Sequence, residues 1–316
     1  MAQKINNLKK TSSKKLNDKV ILAGNSNRPM AKRIAKELGM SLGKIDVKVF
    51  SDGETYVNIE EDIKDKIVYV VQSGSYPANH NLMELLAIVH AARNLNPKKI
   101  VAVVPFYPYR RMEKTVERGE SLTFELVADL LHTAGIDKII CMDLHKHRSK
   151  RFFKFQRKEL RAFEVIISRL RKKKLHNFVI VAPDKGSMPE SKKYARELEV
   201  PLVKAYKTRK KHDEAIINRI EGDVEGKDVI IVDDEINTAG TLTGVVDKLK
   251  QHKVRNIYFA CTHAVLSGPA IERLEKAKIK EVIITDTILL PEEKKIKKIK
   301  ILSVAPLFAQ AILDDR

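Results

Sequence analysis

Short β-branched apolar runs alternate with amphipathic stretches along almost the whole chain, and that rhythm admits few folds. In the first half, Val20–Ala23, Ile67–Val71, Ile100–Val104 and Lys138–Met142 read as strands. In the second half the strand-like runs are Phe178–Ala182, Val200–Val203, Val229–Val232, Ile257–Cys261 and Glu281–Ile284. Most of these runs are apolar at consecutive positions, as strands are when both faces of a sheet are covered. Between them Met30–Leu38, Asn81–Asn94 and Leu122–Ala134 carry apolar residues at helical spacing. The alternation predicts an α/β fold of two similar domains, each a mainly parallel sheet flanked by helices. We place a disordered basic arm over residues 1–19, an N-terminal domain over 20–155 and a C-terminal domain over 156–316.

Composition narrows the partners. Lys and Arg number 60 against 41 Asp and Glu, a formal charge of +19, which favours anionic ligands. The basic runs are scattered over different elements, Trp is absent and aromatics make up 6%. Nucleic-acid grooves usually interleave stacking aromatics with cations, so the pattern disfavours nucleic acid and favours small phosphates. The chain has no apolar run of membrane-spanning length, and its lysine-rich start lacks the apolar core of a secretory signal. Cys141 and Cys261 each sit alone inside an apolar strand, which suggests a reducing, cytoplasmic setting.

In open parallel sheets ligands bind at the carboxyl ends of strands, so the polar residues after each run carry the function. The stretch from Val229 to Thr241 is the most informative. A buried strand runs into Asp233 and Asp234, then into the small-residue loop Asn237-Thr238-Ala239-Gly240-Thr241, and then into a helix marked by Leu242, Val245, Val246 and Leu249. Amides and hydroxyls at a loop and helix start can hold a phosphate. The carboxylates suit the vicinal hydroxyls of a ribose, or a Mg²⁺ shared with it; an acidic cap on the next helix is the plain structural alternative. Lys207 and Arg209 lie two apart just past a strand, candidates for neutralising transferred phosphate charge, with a solvated basic loop as the alternative.

Several motifs in order carry a family resemblance: Phe50-Ser51-Asp52-Gly53-Glu54, Asn81-Leu82-Met83-Glu84-Leu85, Asp143-Leu144-His145, Pro183-Asp184, Lys207-Thr208-Arg209 and the Asp233–Thr241 stretch. From about Val20 onward the chain resembles the ribose-phosphate pyrophosphokinases (PRPP synthetases), of the type I phosphoribosyltransferase fold. The resemblance implies that the 1-hydroxyl of ribose 5-phosphate attacks the β-phosphorus of ATP, giving phosphoribosyl diphosphate (PRPP) and AMP. It implies Lys207 and Arg209 as catalytic residues, and Phe50, Asp52, Glu54, Arg111 and His145 at ATP. It implies Asp233, Asp234, Asn237, Thr238, Ala239, Gly240 and Thr241 at ribose 5-phosphate, and His145 and Asp184 as Mg²⁺ ligands. Phe50 and Glu54 resemble residues contributed by a neighbouring subunit, so the resemblance implies a homo-oligomer, a hexamer.

Departures keep one alternative open. Arg111-Met112-Glu113 stands where the family usually carries Arg-Gln-Asp, and Met112 cannot hydrogen-bond adenine as Gln would. Asn237 stands in place of an Asp and loses a charge. Lys146 to Arg151 is basic where the family is mostly neutral, which predicts weak dependence on added phosphate. The alternative is a non-catalytic synthetase-associated binding protein.

Overall fold

A computed structural model describes residues 16–145, 151–210 and 214–315, with backbone only for 207–210 and 214–216. Most of the basic arm, and residues 146–150 of the basic run after His145, therefore lie outside the described residues. The chain divides into two compact units, one of Met1–Leu160 with Val304–Arg316 and one of Arg161–Ser303.

The first unit runs β1 (Lys19–Ala23), α1 (Arg28–Leu38), β2 (Ile45–Val49), β3 (Thr55–Ile59), β4 (Ile67–Val71), α2 (Ala78–Arg93), β5 (Lys99–Val104), α3 (Thr123–Ala134), β6 (Lys138–Met142) and β7 (Gln156–Leu160). Its sheet has the order β1-β4-β5-β6-β7 and is parallel throughout. Local chemistry sets the first helix: the Asn27 side chain accepts from the Met30 amide, Pro29 opens the first turn, and Gly39 ends it in the left-handed region at φ +69°. Residues of α2 and α3 pack with Val20, Leu22, Val68, Val70, Ile100, Ala102 and Val104 in one buried cluster.

The second unit runs α4 (Phe163–Lys172), β8 (Phe178–Ala182), α5 (Met188–Glu197), β9 (Leu202–Lys210), β10 (Glu214–Glu221), β11 (Asp228–Ile236), α6 (Gly240–Gln251), β12 (Asn256–Ala264), α7 (Ala270–Lys276), β13 (Glu281–Thr285) and β14 (Ile299–Leu302). Its sheet has the order β10-β9-β8-β11-β12-β13-β14, and only the β9–β10 pair is antiparallel. From β8 the chain moves outward through α5 to β9; from β11 it moves the other way through α6 to β12. Strand order thus reverses between β8 and β11, which opens a crevice at their carboxyl ends.

The last helix, α8 (Ala305–Leu313), belongs to the first unit and packs on α1 and β7. The sequence reading assigned this segment to the second domain and put Lys19 in the basic arm. Lys19 instead opens β1, and an ionic knot explains both placements. Asp315 accepts from Lys99 Nζ at 3.1 Å, Lys138 Nζ at 2.6 Å and the Tyr69 hydroxyl at 3.0 Å. Lys19 Nζ donates to the main-chain carbonyls of Asp315 (2.6 Å) and Ile312 (3.1 Å) and to Tyr69 Oη (2.9 Å). Three lysines that open β1, β5 and β6 thus converge on the residues after α8 and at its end.

Candidate functional site

The acidic strand end lies at the strand-order reversal. β8 pairs with β11 as far as Ile231, opposite Val181, whereas β12 follows β11 to Ile236. Asp233 is opposite Cys261 and Glu235 opposite His263. The sequence reading ended this strand at Val232. It continues because main-chain pairing with β12 does not depend on the side chains, so the carboxylates sit within the strand beside the crevice.

Asp184 follows β8 and reaches the same locality. Its Oδ1 accepts from the Ser187 amide at 3.0 Å, ahead of α5. Lost hydration, then the charges of Asp234 and Asp184, push the Asp233 carboxyl well above the usual carboxylate range. Asp234 and Asp184 are therefore both within electrostatic reach of Asp233, and their charges repel its own. Among the described residues no group of three or more His, Cys, Asp or Glu is placed to hold a metal ion. One or two of these carboxylates are hard oxygen donors of the kind Mg²⁺ takes while keeping most of its waters.

The loop after β11 is held from outside. Ala239 caps α6 in the left-handed region at φ +60°, which only a constrained backbone imposes on a residue with a Cβ. No side chain caps α6, and the amides of its first turn face the loop as at every helix start. Arg273 on α7 donates from Nη1 to the Thr238 carbonyl at 2.9 Å, and the Ser267 amide donates to the Asn237 carbonyl at 3.1 Å. The Ser267 hydroxyl also donates to Asn237 Oδ1. Thr238 is exposed, while Asn237, Gly240 and Thr241 are half-buried. Asn237 thus braces the loop as well as lining it. Sequence reasoning missed Arg273, because an arginine 35 positions from Thr238 on an exposed helix carries no local signal.

Lys207 and Arg209 lie in β9, opposite Ile217 and Ala215 of β10. The sequence reading ended the strand at Val203 and placed both cations beyond that end. β9 instead continues to Lys210 in an antiparallel ribbon, with a register shift between Ile217 and Arg219. Both residues are therefore in extended backbone, and their side chains lie outside the described ones.

In the first unit, Phe50, Asp52 and Glu54 form the turn of the β2–β3 hairpin. Gly53 donates to the Phe50 carbonyl at 2.9 Å with φ +93°, and the Glu54 amide donates to Asp52 Oδ1 at 3.1 Å. Phe50 is 51% exposed, against the Tyr56 ring at 5.6 Å. That exposure sets aside an ordinary core role. Arg111 and Met112 are exposed on the loop after β5, and His145 is half-buried after β6. The Asn81 and Glu84 motif is internal. Glu84 accepts from the Asn25 amide at 2.6 Å and Gln72 Nε2 at 2.8 Å, and Gln72 Nε2 also donates to the Asn81 carbonyl at 3.2 Å, joining the loops after β1 and β4.

A reversed parallel sheet, an acidic strand end and a braced small-residue loop entering a helix define a phosphoribosyltransferase-type α/β protein. Comparison with known proteins agrees. Residues 19–135 match the N-terminal domain of ribose phosphate pyrophosphokinase, and residues 154–293 match the phosphoribosyl transferase domain. The chain is 43% identical over 298 residues to the ribose-phosphate pyrophosphokinase of Fusobacterium nucleatum, covering 94% of each. It is 45% identical over 294 residues to that of Caldanaerobacter subterraneus, covering 93% of each. Its fold is similar to the crystal structure of phosphoribosylpyrophosphate synthetase from Mycobacterium smegmatis, with a TM-score of 0.89 and 36% identity over 94% of this chain and 98% of that one. The chain belongs to the ribose-phosphate pyrophosphokinase family.

Proposed function

We propose that this protein transfers the diphosphate group of ATP to the 1-hydroxyl of ribose 5-phosphate, giving PRPP and AMP. The observation that carries the reading is the convergence of Asp184, Asp233 and Asp234 at the β8–β11 crevice, beside the braced loop that enters α6. Membership of the family supports assigning the sugar phosphate to that crevice. The curated relatives carry the enzyme's name, which disfavours the non-catalytic alternative.

The roles follow from the chemistry of the positions. First-turn amides of α6 and the hydroxyls of Thr238 and Thr241 hold the 5-phosphate. Asp233 and Asp234 accept hydrogen bonds from the ribose hydroxyls, with Asn237 bracing the loop beneath them. Lys207 and Arg209 stabilise charge on the diphosphate as it moves. Arg111, His145 and the Phe50, Asp52 and Glu54 hairpin bind ATP. The hairpin's exposed ring supports its use by a second copy, and the family resemblance extends that to a homo-hexamer. His145 is the candidate ligand of the Mg²⁺ that accompanies ATP, and Asp184 the candidate at a second Mg²⁺ position; the repulsion that Asp233 feels from its carboxylate neighbours is what a divalent cation there would relieve. Mg²⁺ when bound would neutralise phosphate charge and align the groups that react. Among the described residues no helix is long and apolar enough to cross a membrane, and the lone cysteines support a cytoplasmic enzyme.

The test is nucleotide analysis of a reaction with ATP, Mg²⁺ and ribose 5-phosphate. AMP that forms only with the sugar, without ADP, supports the reading. Absence of product from protein that binds both substrates would return the non-catalytic alternative.

A further inference from the structure

Arg110 heads the largest side chains withdrawn from solvent among the described residues, and it is a cation. A guanidinium keeps its charge when buried and is tolerated there only when it finds acceptors. It lies on the loop leaving β5, over the Phe106 ring at 5.9 Å. Its Nη1 donates to the main-chain carbonyl of Asp143 at 3.1 Å.

Asp143 begins the turn after β6 and takes a left-handed backbone at φ +41°, a region that a residue with a Cβ enters only under constraint. Other bonds pin the same turn. The Asp143 amide donates to the Leu160 carbonyl at 3.1 Å, and the Leu144 amide donates to Glu159 Oε1 at 3.1 Å. His145 is the next residue. The β5 loop that supplies the buried cation also carries Arg111, so this contact ties the loop of one ATP-binding candidate to the turn of another.

We propose that Arg110 is a positioning residue for ATP. It holds the Asp143 turn in its strained conformation and so presents His145 to the nucleotide, without touching the nucleotide itself. The inference rests on the assignment of His145 to the ATP site.

The test uses Arg110→Met, Arg110→Lys, His145→Ala and the Arg110→Met/His145→Ala double variant in the full chain. Steady-state kinetics are measured with ATP and Mg²⁺, ATP affinity by calorimetry, and amide exchange over residues 140–152. Arg110→Met should weaken ATP binding about tenfold, the scale of one charge-assisted hydrogen bond. The kcat should stay within about twofold and exchange in the turn should rise; Arg110→Lys should fall between. In the His145→Ala background, Arg110→Met should cost nothing further, because both act through one group. An additive loss in the double variant would overturn the proposal, as would normal ATP affinity in Arg110→Met beside a weakened His145→Ala. Unchanged ATP affinity in His145→Ala would refute the assignment of His145, and this inference with it. If Arg110→Met does not fold, Arg110→Lys decides: weaker ATP binding with faster exchange in the turn supports the proposal, and no change in either overturns it.

Discussion

Removing the Asp315 carboxylate should loosen the first unit more than any surface change of equal size. In Asp315→Ala, the ammonium groups of Lys99 and Lys138 lose a counter-ion whose side chain is 2% exposed, and Tyr69 loses its acceptor. Lys19 keeps its carbonyl acceptors, so it is less affected. Removing one partner of a buried ion pair costs about 3–5 kcal/mol. At roughly 2–4 °C per kcal/mol for a unit of this size, the melting temperature should fall by about 10 °C. Asp315→Asn, which keeps one acceptor oxygen, should cost less. The effect also has a pH signature. Burial pushes the Asp315 carboxyl up, but hydrogen bonds from Lys138 and Lys99 outweigh it and hold the group below its ordinary value. A carboxyl lowered in the folded state stabilises fully above its unfolded pKa, about 3.9, and that contribution is lost as pH falls through the lower folded value. The margin of wild type over Asp315→Ala should therefore be full at neutral pH and shrink below about pH 4. Calorimetry across pH measures it, with amide exchange in β1, β5 and β6 locating the loss. A melt within 1 °C of wild type at pH 7 would refute the reasoning, since the knot would then contribute nothing net.

Four further outcomes are expected at the site and the basic run. Lys207→Ala should lower kcat by roughly 10²–10³ with little change in ATP affinity, as expected for a cation aimed at transition-state charge; a raised KM at unchanged kcat would make it a binding residue only. Asp233→Asn and Asp234→Asn should weaken ribose 5-phosphate binding by calorimetry and leave ATP affinity measured without sugar intact. Because Asp233 is crowded by Asp234 and Asp184, Asp233→Asn should also raise the melting temperature of metal-free protein, the usual exchange of function for stability. Initial rates across a phosphate series should be nearly flat if the basic run from Lys146 to Arg151 holds its own anion, and steep activation would contradict that.

Legibility in the sequence depends on how each element is specified. Buried parallel strands such as Val229–Val232 and Ile139–Met142 announce themselves as β-branched apolar runs, so the sheets could be read directly. Asp233 to Thr241 was legible because strand, carboxylates, loop and helix are contiguous. Edge and solvent-facing strands were not. Gln156–Leu160 reads QRKEL, and β2 and β3 are only half-buried, although Asp52-Gly53 between alternating apolar residues is a hairpin signal that could have found them. The continuation of β9 through Lys207 and Arg209 was hidden by its charge, since pairing with β10 uses the main chain. Contacts made across long separations, such as Arg273 with Thr238, Arg110 with Asp143 and Asp315 with Lys138, leave no periodic trace. For that reason the position of α8 could not be read from its neighbours in the chain.

Diphosphate transfer is tested most directly by ³¹P NMR of purified protein with ATP, Mg²⁺ and ribose 5-phosphate. The account predicts equimolar growth of AMP and of a sugar-linked diphosphate at C1, with no ADP and no reaction when the sugar is withheld. ADP with a sugar monophosphate product, or ATP unchanged in protein that binds both substrates, would contradict it.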